Sequence, residues 1–573
     1  MNAPVLPSSP DAFAQAGWDD IAPYFERLAA RAIDAESTES WLREWSRLEE
    51  LVTEAAALAM IAYTIDTSSA EKEAAHLRFS SEILPKMEER SVELARLLVE
   101  SGYDAPEFAT TMARFRTSIA IFREANVPIF AELEELSAKY QRITGSMTVR
   151  WEGEDRPLPQ LQPFLKSADR GVREAAFRAA AQPYMDQQKA LAALFDRMYA
   201  LRQRAAKNAG FANFRDYIFP AKFRFDYSPA DTERFHVAVE RTVAPAVERL
   251  LEERRRRLGL DSLRPWDLAV DPYRSDPLRP FENADELVTK ARRVFDRVAP
   301  DLGREFQTMI DERLLDLESR RGKAPGGYCE TLHHRGRPFI FMNAVGLVDD
   351  VMTLLHEAGH AFHAFASHEL PLIWQRHPGS EAAELASMSM ELLASPHLAE
   401  PQGLFTEEAA LGAWIEHLED VLLSLAHIAS VDAFQNWIYT SPDGGDAGAR
   451  DREWLRLRSR FERGVDWSGL DAERVARWYR QLHIFMYPFY YIEYGIAQVG
   501  ALQIWRNSLD DPIGAVRRYR EALRLGATRS LPELYRTAGA RLTFDAATIA
   551  DLVARVEEQI DTIRARLPRA AAA

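Results

Sequence analysis

Near its middle the chain reads Val351-Met-Thr-Leu-Leu-His356-Glu357-Ala-Gly-His360-Ala-Phe-His363. Apolar residues recur at helical spacing in this stretch, which predicts an amphipathic helix. Two histidines four residues apart project from the same helical face, so their imidazoles can converge on one ion. The glutamate after the first histidine points slightly round the helix and can reach a water on that ion. The H-E-x-x-H pattern therefore predicts a zinc hydrolase, with His356 and His360 as ligands and Glu357 as general base.

A catalytic zinc usually takes three protein ligands and keeps its fourth position for water. The metzincin continuation of the motif does not fit, because His363 stands where that pattern needs glycine. The following segment offers carboxylates at helical spacing instead. We predict Glu384 as the third ligand. Glu381, Glu391 and His363 are predicted to lie beside the ligands, where they orient the histidine rings.

The composition argues against several classes of protein. The chain has 573 residues and a formal net charge of −16, which argues against nucleic acid as a partner because phosphate binding needs a basic face. A single cysteine, Cys329, excludes an internal disulfide and suggests a reducing compartment. The first residues lack the basic and apolar regions of a signal peptide, and no apolar run reaches about 18 residues. We therefore expect a soluble, cytoplasmic protein without a membrane span.

Helical patterns dominate the chain, so the expected fold class is mainly α. Residues 37–65, for example, place apolar side chains at helical spacing. Strand signals are few: Met147–Trp151 reads as half of a hairpin, and Gly327–Leu332 with Pro338–Asn343 reads as a second hairpin just before the histidine helix. A chain of this length should divide into lobes. We expect an N-terminal helical lobe over 1–205 and a catalytic region over 206–573.

The second predicted hairpin also suggests how a ligand could bind. An extended peptide can pair with the backbone of a strand, which gives affinity without strict sequence preference. We predict that the strand Pro338–Asn343 contacts substrate in this way, with Phe341 and Asn343 as substrate-binding residues.

Together these motifs resemble the M3 metallopeptidases, and specifically their oligoendopeptidase F branch. The histidine helix has the H-E-x-G-H-A-x-H form, and Glu384-Leu-Ala-Ser-Met-Ser-Met-Glu391 is similar to the family's E-x-x-S-x-x-x-E helix. Downstream, His483-Ile-Phe-Met-Tyr-Pro-Phe-Tyr-Tyr-Ile-Glu-Tyr494 is similar to the family's histidine- and tyrosine-rich substrate segment. Arg224-Phe-Asp-Tyr-Ser-Pro229 also looks familial. The resemblance covers nearly the whole chain.

The resemblance implies two mostly helical lobes that enclose a deep substrate channel, with a small β-sheet beside the zinc helix. It also implies one zinc ion per chain and short peptides as substrates. Within the downstream segment, His483 and Tyr494 are expected to donate hydrogen bonds to the oxyanion of the tetrahedral intermediate. Tyr487, Tyr490 and Tyr491 are expected to line the same wall and bind substrate.

The leading hypothesis is a zinc-dependent endopeptidase that hydrolyses internal bonds of short oligopeptides with a water activated by Glu357. A peptidyl-dipeptidase or a carboxypeptidase could use the same zinc ligands, but it would need a cation to hold the substrate's C-terminal carboxylate. A zinc-stabilised peptide-binding protein without turnover is the third alternative. The intact Glu357 argues against it, because a binding protein has no need for a base beside the metal.

Overall fold

The structure is a computed structural model and describes residues 5–34, 36–274 and 278–567. Helices account for most of these residues. The α-helices are α1 (Trp18–Ala29), α2 (Thr38–Ile65), α3 (Ala70–Arg78), α4 (Leu84–Glu100), α5 (Ala109–Ile121), α6 (Val127–Gly145), α7 (Gln162–Leu165), α8 (Arg170–Asn208), α9 (Phe214–Ala221), α10 (Pro229–Arg257), α11 (Ala284–Val298), α12 (Pro300–Asp311), α13 (Val348–Ser367), α14 (Ile373–Arg376), α15 (Ser380–Ala394), α16 (Glu407–Thr440), α17 (Ala447–Phe461), α18 (Asp471–Tyr479), α19 (Leu482–Met486), α20 (Tyr491–Asp510), α21 (Pro512–Arg524), α22 (Leu531–Thr537) and α23 (Ala546–Arg564). The strands are β1 (Thr148–Trp151), β2 (Glu154–Pro157), β3 (Leu315–Glu318), β4 (Tyr328–Leu332) and β5 (Arg337–Ala344).

The chain divides into two compact units, each built from three separate segments. Unit 1 consists of Met1–Phe122, Arg279–Ala410 and Gly500–Leu542, and unit 2 consists of Arg123–Leu278, Leu411–Val499 and Thr543–Ala573. The predicted division into 1–205 and 206–573 does not coincide with these units, because residue 205 lies inside α8. A division read along the sequence assumes that each lobe is one continuous segment, and here long-range contacts join distant segments.

Unit 1 contains a three-stranded sheet in the order β3-β5-β4. β4 and β5 pair antiparallel, as the predicted hairpin requires, whereas β3 adds a parallel partner on the other edge of β5. The histidine helix, α13, packs against β4 and β5. The inner strand β5 reads Arg337-Pro-Phe-Ile-Phe-Met-Asn-Ala344 and is almost wholly buried. This apolar strand therefore gives α13 a rigid support.

Helix α2 carries much of the core of unit 1. Trp45 is fully buried, and its ring centroid lies 5.3 Å from that of Trp41, 5.1 Å from Phe115 and 4.4 Å from Trp374. The same helix contacts the sheet, because the hydroxyls of Thr64 and Tyr328 lie 2.6 Å apart. Aromatic packing and this polar contact together hold β4, the strand that precedes the histidine helix, against α2.

Unit 2 is helical apart from the hairpin β1–β2. Its core is also aromatic: Trp478 in α18 is fully buried, and its ring centroid lies 5.5 Å from Phe195, 5.7 Å from Phe434 and 5.8 Å from Phe485. The hydroxyl of Tyr140 donates to the backbone carbonyl of Tyr479 at 3.0 Å. These contacts fix the region around α18 and α19, which leads directly into the predicted tyrosine segment.

The mainly helical class predicted from the sequence is confirmed, and α2 occupies nearly the predicted residues 37–65. Strand β3 was not predicted, because four residues of mixed polarity carry no clear period. Within the described residues, no helix is both long and apolar enough to cross a lipid bilayer.

Candidate metal centre

The sequence just before α13 fixes where the histidine helix begins. The carboxylate of Asp350, at the third helical position, accepts hydrogen bonds from the backbone N–H groups of Val345 and Leu347, both at 2.8 Å. Asp349 and Asp350 also place negative charge in the first turn, where it is favourable to the helix dipole. Because the cap fixes where the helix begins, it also fixes the directions in which His356, Glu357 and the residues after them project.

The histidine helix crosses α15 at very short range. A Cβ atom at Gly359 would lie 2.5 Å from the Cα of Ser387 and 2.7 Å from the carbonyl oxygen of Ala386. Only glycine fits at this crossing, since both obstructing atoms belong to the backbone. The hydroxyl of Tyr519, in α21, donates to the same Ala386 carbonyl at 2.9 Å and fixes the crossing from a third helix.

Three predicted ligands meet where the two helices cross. Ligand atoms of His356, His360 and Glu384 all lie within 4.8 Å of one another. Glu384 Oε2 lies 3.3 Å from His356 Nε2 and 3.7 Å from His360 Nε2. Two imidazole nitrogens and one carboxylate oxygen are a donor set that catalytic zinc sites use. The residues therefore fit a zinc ion with one coordination position left open.

Glu391 determines which nitrogen His356 presents to the centre. Its Oε1 lies 2.7 Å from His356 Nδ1. An ionised carboxylate can only accept, so Nδ1 carries the hydrogen and Nε2 is the nitrogen that faces Glu384. Burial opposes a charge on His356, but the hydrogen bonds to Glu384 and Glu391 outweigh it and raise the pKa of His356 well above its usual range. The centre thus favours positive charge, as a divalent cation site must.

The other histidines of α13 stay neutral. Burial lowers the pKa of His360 to about 4 and that of His363 to about 3. A neutral imidazole is the form that binds a metal. His363 is buried one turn beyond His360, and the metal-ligand cluster found among the described residues does not include it. That His363 supports the ligands rather than joining them stays a prediction.

Glu357 is buried beside the ligands on α13. Burial raises the pKa of its carboxyl to about 7, although the charge of His356 acts in the opposite direction. The negative charges of Glu384 and Glu391 contribute to the increase. A carboxyl group whose pKa lies near neutrality can both accept and return a proton, which is what a general base that later acts as an acid must do.

Two further residues near the centre have different surroundings. Burial raises the pKa of the Cys329 thiol, and the nearby charge of Glu357 adds to this effect, so β4 runs close to the base. Glu381, predicted to orient a histidine, lies at the start of α15, where its charge acts on Arg114 and Tyr535. Glu391 has the direct contact with His356.

The sheet topology corrects one prediction. β5 is the central strand and pairs with both β3 and β4, so its backbone cannot also pair with a peptide. Phe341 has no exposed surface, and its ring stacks on Tyr328 at 4.9 Å. The amide of Asn343 donates to the carbonyls of Ala324 and Gly326 at 2.8 and 2.9 Å. The edges of the sheet are β3 and β4, so an added strand would pair with one of these.

The predicted tyrosine segment lies in unit 2 and forms one aromatic cluster. The His483 ring has four tyrosine rings around it, at centroid distances of 6.1 Å for Tyr487, 5.8 Å for Tyr490, 5.0 Å for Tyr491 and 6.0 Å for Tyr494. The surroundings of the tyrosines differ: Tyr487 is 52% exposed, whereas Tyr491 is buried. Burial raises the pKa of Tyr491 to about 12. The structure therefore brings these five predicted residues together.

A buried arginine holds this segment in place. Arg224 Nη2 donates to the backbone carbonyl of Phe489 at 2.5 Å and to Glu493 Oε1 at 2.6 Å. Lys222 Nζ lies 3.0 Å from the same Glu493 oxygen. Phe489 has φ +63°, a value uncommon for a residue with a side chain, and its N–H donates to Gln435 at 2.7 Å. These bonds stabilise a bend that the local sequence does not favour by itself.

Sequence reasoning missed the residues that position the ligands. Ser387 donates to Glu384 Oε2 at 3.0 Å, and Gly359 allows the helices to approach. Both stand inside the motifs that carry the resemblance, at H-E-x-G-H and E-x-x-S, so the signal was present. Arg224 also belongs to a recognised motif, but its partner Glu493 is far away in the sequence.

The comparisons with known proteins agree with this centre. The model of Peptidase family M3 matches residues 164–553, and that of the Peptidase M3 N-terminal domain matches residues 12–108. The chain belongs to Peptidase family M3. The family match includes the histidine helix, the Glu384 helix and the tyrosine segment.

Individual relatives are more distant in sequence than in fold. The Oligoendopeptidase F homolog of Lactococcus lactis subsp. lactis is 22% identical over 66% of this chain and 61% of its own length. Oligopeptidase PepF of Bacillus subtilis is 24% identical over 66% of this chain and 55% of its own length. These matches thus span about three fifths of the curated relatives.

A structure of PZ peptidase A with an inhibitor has a TM-score of 0.89 and 28% identity, covering 96% of this chain and 98% of that one. Oligoendopeptidase-F from Enterococcus faecium, at 16% identity, has the same fold with a TM-score of 0.66, covering 96% of this chain and 97% of its own.

The helix crossing generates a prediction about metal affinity. Gly359→Ala should push α13 and α15 apart and lower zinc affinity by at least about fivefold, because overpacking of this kind typically costs 1–3 kcal/mol, about 5- to 150-fold in affinity. Competition with a chromophoric chelator measures the affinity.

Gly145→Ala is the matched control, since a Cβ atom there meets nothing within 4 Å in the helix α6. Unchanged zinc affinity in Gly359→Ala, with both variants folded by circular dichroism, would contradict the claim that the crossing sets the ligand geometry.

Proposed function

We propose that the protein is a zinc-dependent endopeptidase that hydrolyses internal bonds of short peptides. One observation carries the proposal: His356, His360 and Glu384 place their ligand atoms within 4.8 Å of one another, with the buried Glu357 on the same helix. Membership of Peptidase family M3 and the oligoendopeptidase F homologues support the peptide substrate class.

The metal, when bound, supplies the Lewis acid that activates a water molecule and polarises the scissile carbonyl. Glu357 takes the proton of the attacking water and delivers it to the leaving amine. Glu391 keeps His356 in the tautomer that presents Nε2, and Ser387 holds the Glu384 carboxylate in place. These residues fix the reacting geometry in advance, so little reorganisation is needed during the reaction.

The remaining charge to be stabilised is the oxyanion of the tetrahedral intermediate. We propose that His483 and Tyr494 donate hydrogen bonds to it, and that Tyr487, Tyr490 and Tyr491 contact the peptide. The clustering of these five rings supports a common role. The anchor formed by Arg224 and Glu493 would then serve to keep the donors in place.

We further propose that the peptide lies extended along β4. This strand is one of the two edges of its sheet. It is favoured over the other edge, β3, because its residue Cys329 lies close enough to Glu357 for the charge to affect the thiol. An added strand would bind through backbone hydrogen bonds, which suit peptides of varied sequence. Phe341 and Asn343 belong to the neighbouring strand β5, so they would support β4 instead of contacting the substrate.

Metal removal and digestion of a peptide mixture test the function directly. Chelation should abolish hydrolysis while circular dichroism retains its helical signal, because the large apolar cores do not depend on the metal. Mass spectrometry should find internal cuts in short peptides of roughly 5–20 residues, which can bind in extended form. Stepwise loss of C-terminal dipeptides would instead favour a peptidyl-dipeptidase, and full activity after chelation would reject the metal mechanism.

Glu357→Gln separates the base from the ligands. Glutamine keeps the size and the hydrogen-bonding atoms but cannot accept the proton, so kcat should fall by at least about 10²-fold with zinc still bound. Zinc content by mass spectrometry and steady-state kinetics are measured on the same preparation. Glu384→Gln is the contrasting variant and should lose zinc; if Glu357→Gln loses zinc equally, Glu357 is a ligand and the assignment is wrong.

Tyr494→Phe and His483→Ala test the oxyanion donors. Each should lower kcat and kcat/KM together, by roughly 10²–10³, because the lost contact exists mainly in the transition state. Tyr24→Phe, in α1 of unit 1, removes a hydroxyl outside the segment and should leave the kinetics unchanged. Unchanged kcat with a drop in Tm would show that Tyr494 and His483 serve packing only.

A further inference from the structure

Unit 2 contains a cavity of about 250 Å³ that the proposed hydrolysis does not use. A cavity of roughly 150 Å³ is large enough for benzene, so this one can hold a ligand somewhat larger than a six-carbon ring. Helices α10, α16, α17 and α18 contribute to its lining. The apolar lining residues are Val247, Leu251, Leu268, Leu423, Ala426, Phe461 and Val465.

The cavity is also lined by charged side chains, and these define the ligand's chemistry. Arg458, Arg477 and Glu462 line the cavity together with Asp420, so charges of both signs face the same space. Glu462 accepts from Arg458 at 2.6 Å and from Arg477 at 2.6 Å. Arg474 also pairs with Glu462, at 3.3 Å. Three guanidinium groups thus surround one carboxylate, and the cluster has excess positive charge.

Arg477 is the cation best able to take a ligand. Arg458 is nearly fully buried, and all its guanidinium nitrogens are engaged by Glu462 and His427. Arg477 is 33% exposed and, within the described residues, directs only Nη1 to Glu462. Its other nitrogens can bind a carboxylate, and a planar guanidinium is well suited to that group.

Asp420 supplies the complementary charge. It lies two helical turns before His427 on α16, and the hydroxyl of Ser424 donates to its Oδ2 at 3.4 Å. A ligand with only a carboxylate would face this negative group without benefit. A ligand that carries an ammonium group as well can contact both Arg477 and Asp420, with its apolar part against the apolar lining residues.

A buried polar chain connects the cavity with the tyrosine segment. Arg458 Nη1 donates to His427 Nδ1 at 2.8 Å, which makes the other ring nitrogen of His427 the donor to Gln481. Gln481 in turn donates to the hydroxyl of Tyr491. Every donor in this series of hydrogen bonds points from the cavity toward Tyr491. The ring of Tyr491 lies 5.0 Å from that of His483.

We propose that this cavity binds a free amino acid with a branched aliphatic side chain, its carboxylate on Arg477 and its ammonium group on Asp420. Internal cleavage releases shorter peptides, and their complete hydrolysis by exopeptidases yields compounds of this class, so the ligand would be an end product of peptide breakdown. Binding would act on the tyrosine segment through His427, Gln481 and Tyr491. The binding site stands independently of the proposed function, whereas its effect on turnover rests on it.

Calorimetric titration of the full-length zinc-loaded protein tests the binding. L-leucine should bind saturably, and its two single-charge analogues, 4-methylpentanoate and 3-methylbutylamine, should bind at least about tenfold more weakly, because each loses one charge-assisted contact. Arg477→Gln should lower leucine affinity by at least about tenfold for the same reason. Leu423→Trp, which fills the cavity, should abolish binding.

Arg480→Gln is the matched control, because Arg480 is exposed three residues beyond Arg477 and does not line the cavity. It should bind leucine as the unmodified chain does. No saturable leucine binding up to about 10 mM, weaker than any affinity of interest for a millimolar metabolite, would overturn the site. Equal binding by Arg477→Gln, or by 4-methylpentanoate and leucine, would overturn the assigned contacts.

A kinetic measurement separates the site from the proposed function. Saturating leucine should change kcat for a quenched fluorescent peptide by at least about twofold in the unmodified chain and not in Arg477→Gln. A kcat that leucine leaves unchanged, although calorimetry shows binding, would overturn the link through Tyr491. If no peptide is hydrolysed at all, the proposed function fails, and the calorimetry still decides whether the amino-acid site exists.

Discussion

The metal centre depends on two helices approaching more closely than side chains normally allow. Its ligands come from α13 and α15, so the distance between these helices fixes the distance between the imidazoles and the carboxylate. Gly359 removes the one Cβ atom that would hold the helices apart, and Tyr519 bonds to the backbone of α15 at the same level. Because Glu384, Ser387 and Glu391 are spaced three and four residues apart, all three lie on the face of α15 that meets α13.

This arrangement concentrates buried charge, which is costly without compensation. Glu357 and Glu384 are buried together within one small volume, and burial in a medium of low polarity favours protonation of one of them. A core built for stability alone would replace such groups with apolar ones. Their position beside two histidines is typical of a functional site, where buried ionisable groups with shifted pKa values cluster.

The tyrosine segment of unit 2 also contains a locally unfavourable feature that other parts of the chain stabilise. Its bend at Phe489 requires a positive φ that a phenylalanine seldom adopts. Arg224 and Gln435, which come from two other parts of the chain, bond to the backbone of that residue and stabilise the bend. The two familial motifs around Arg224 and His483 thus have a common physical basis, because one anchors the conformation of the other.

The sequence by itself determined the fold class and was enough to predict the proposed ligand set. Helical periodicity and the i, i+4 histidines are local properties, so the histidine helix and the mainly helical class could be read directly from the chain, and the base proposed at Glu357 was predicted from the same motif. The carboxylate ligand followed from helical spacing on a nearby segment together with the familial motif. Each of these inferences needed only residues that are close in sequence.

Only the tertiary structure decided how distant segments combine. The two units interleave along the chain, which no local pattern could reveal because long-range contacts define them. β3 pairs with the second side of β5 and makes β3 and β4 the two edges, so the strand predicted to meet substrate is the buried centre of the sheet. Likewise, the need for glycine at position 359 is evident only from the structure, because a Cβ atom there would lie 2.5 Å from the backbone of another helix. A sequence records which groups are available, and packing between remote segments determines which of them meet.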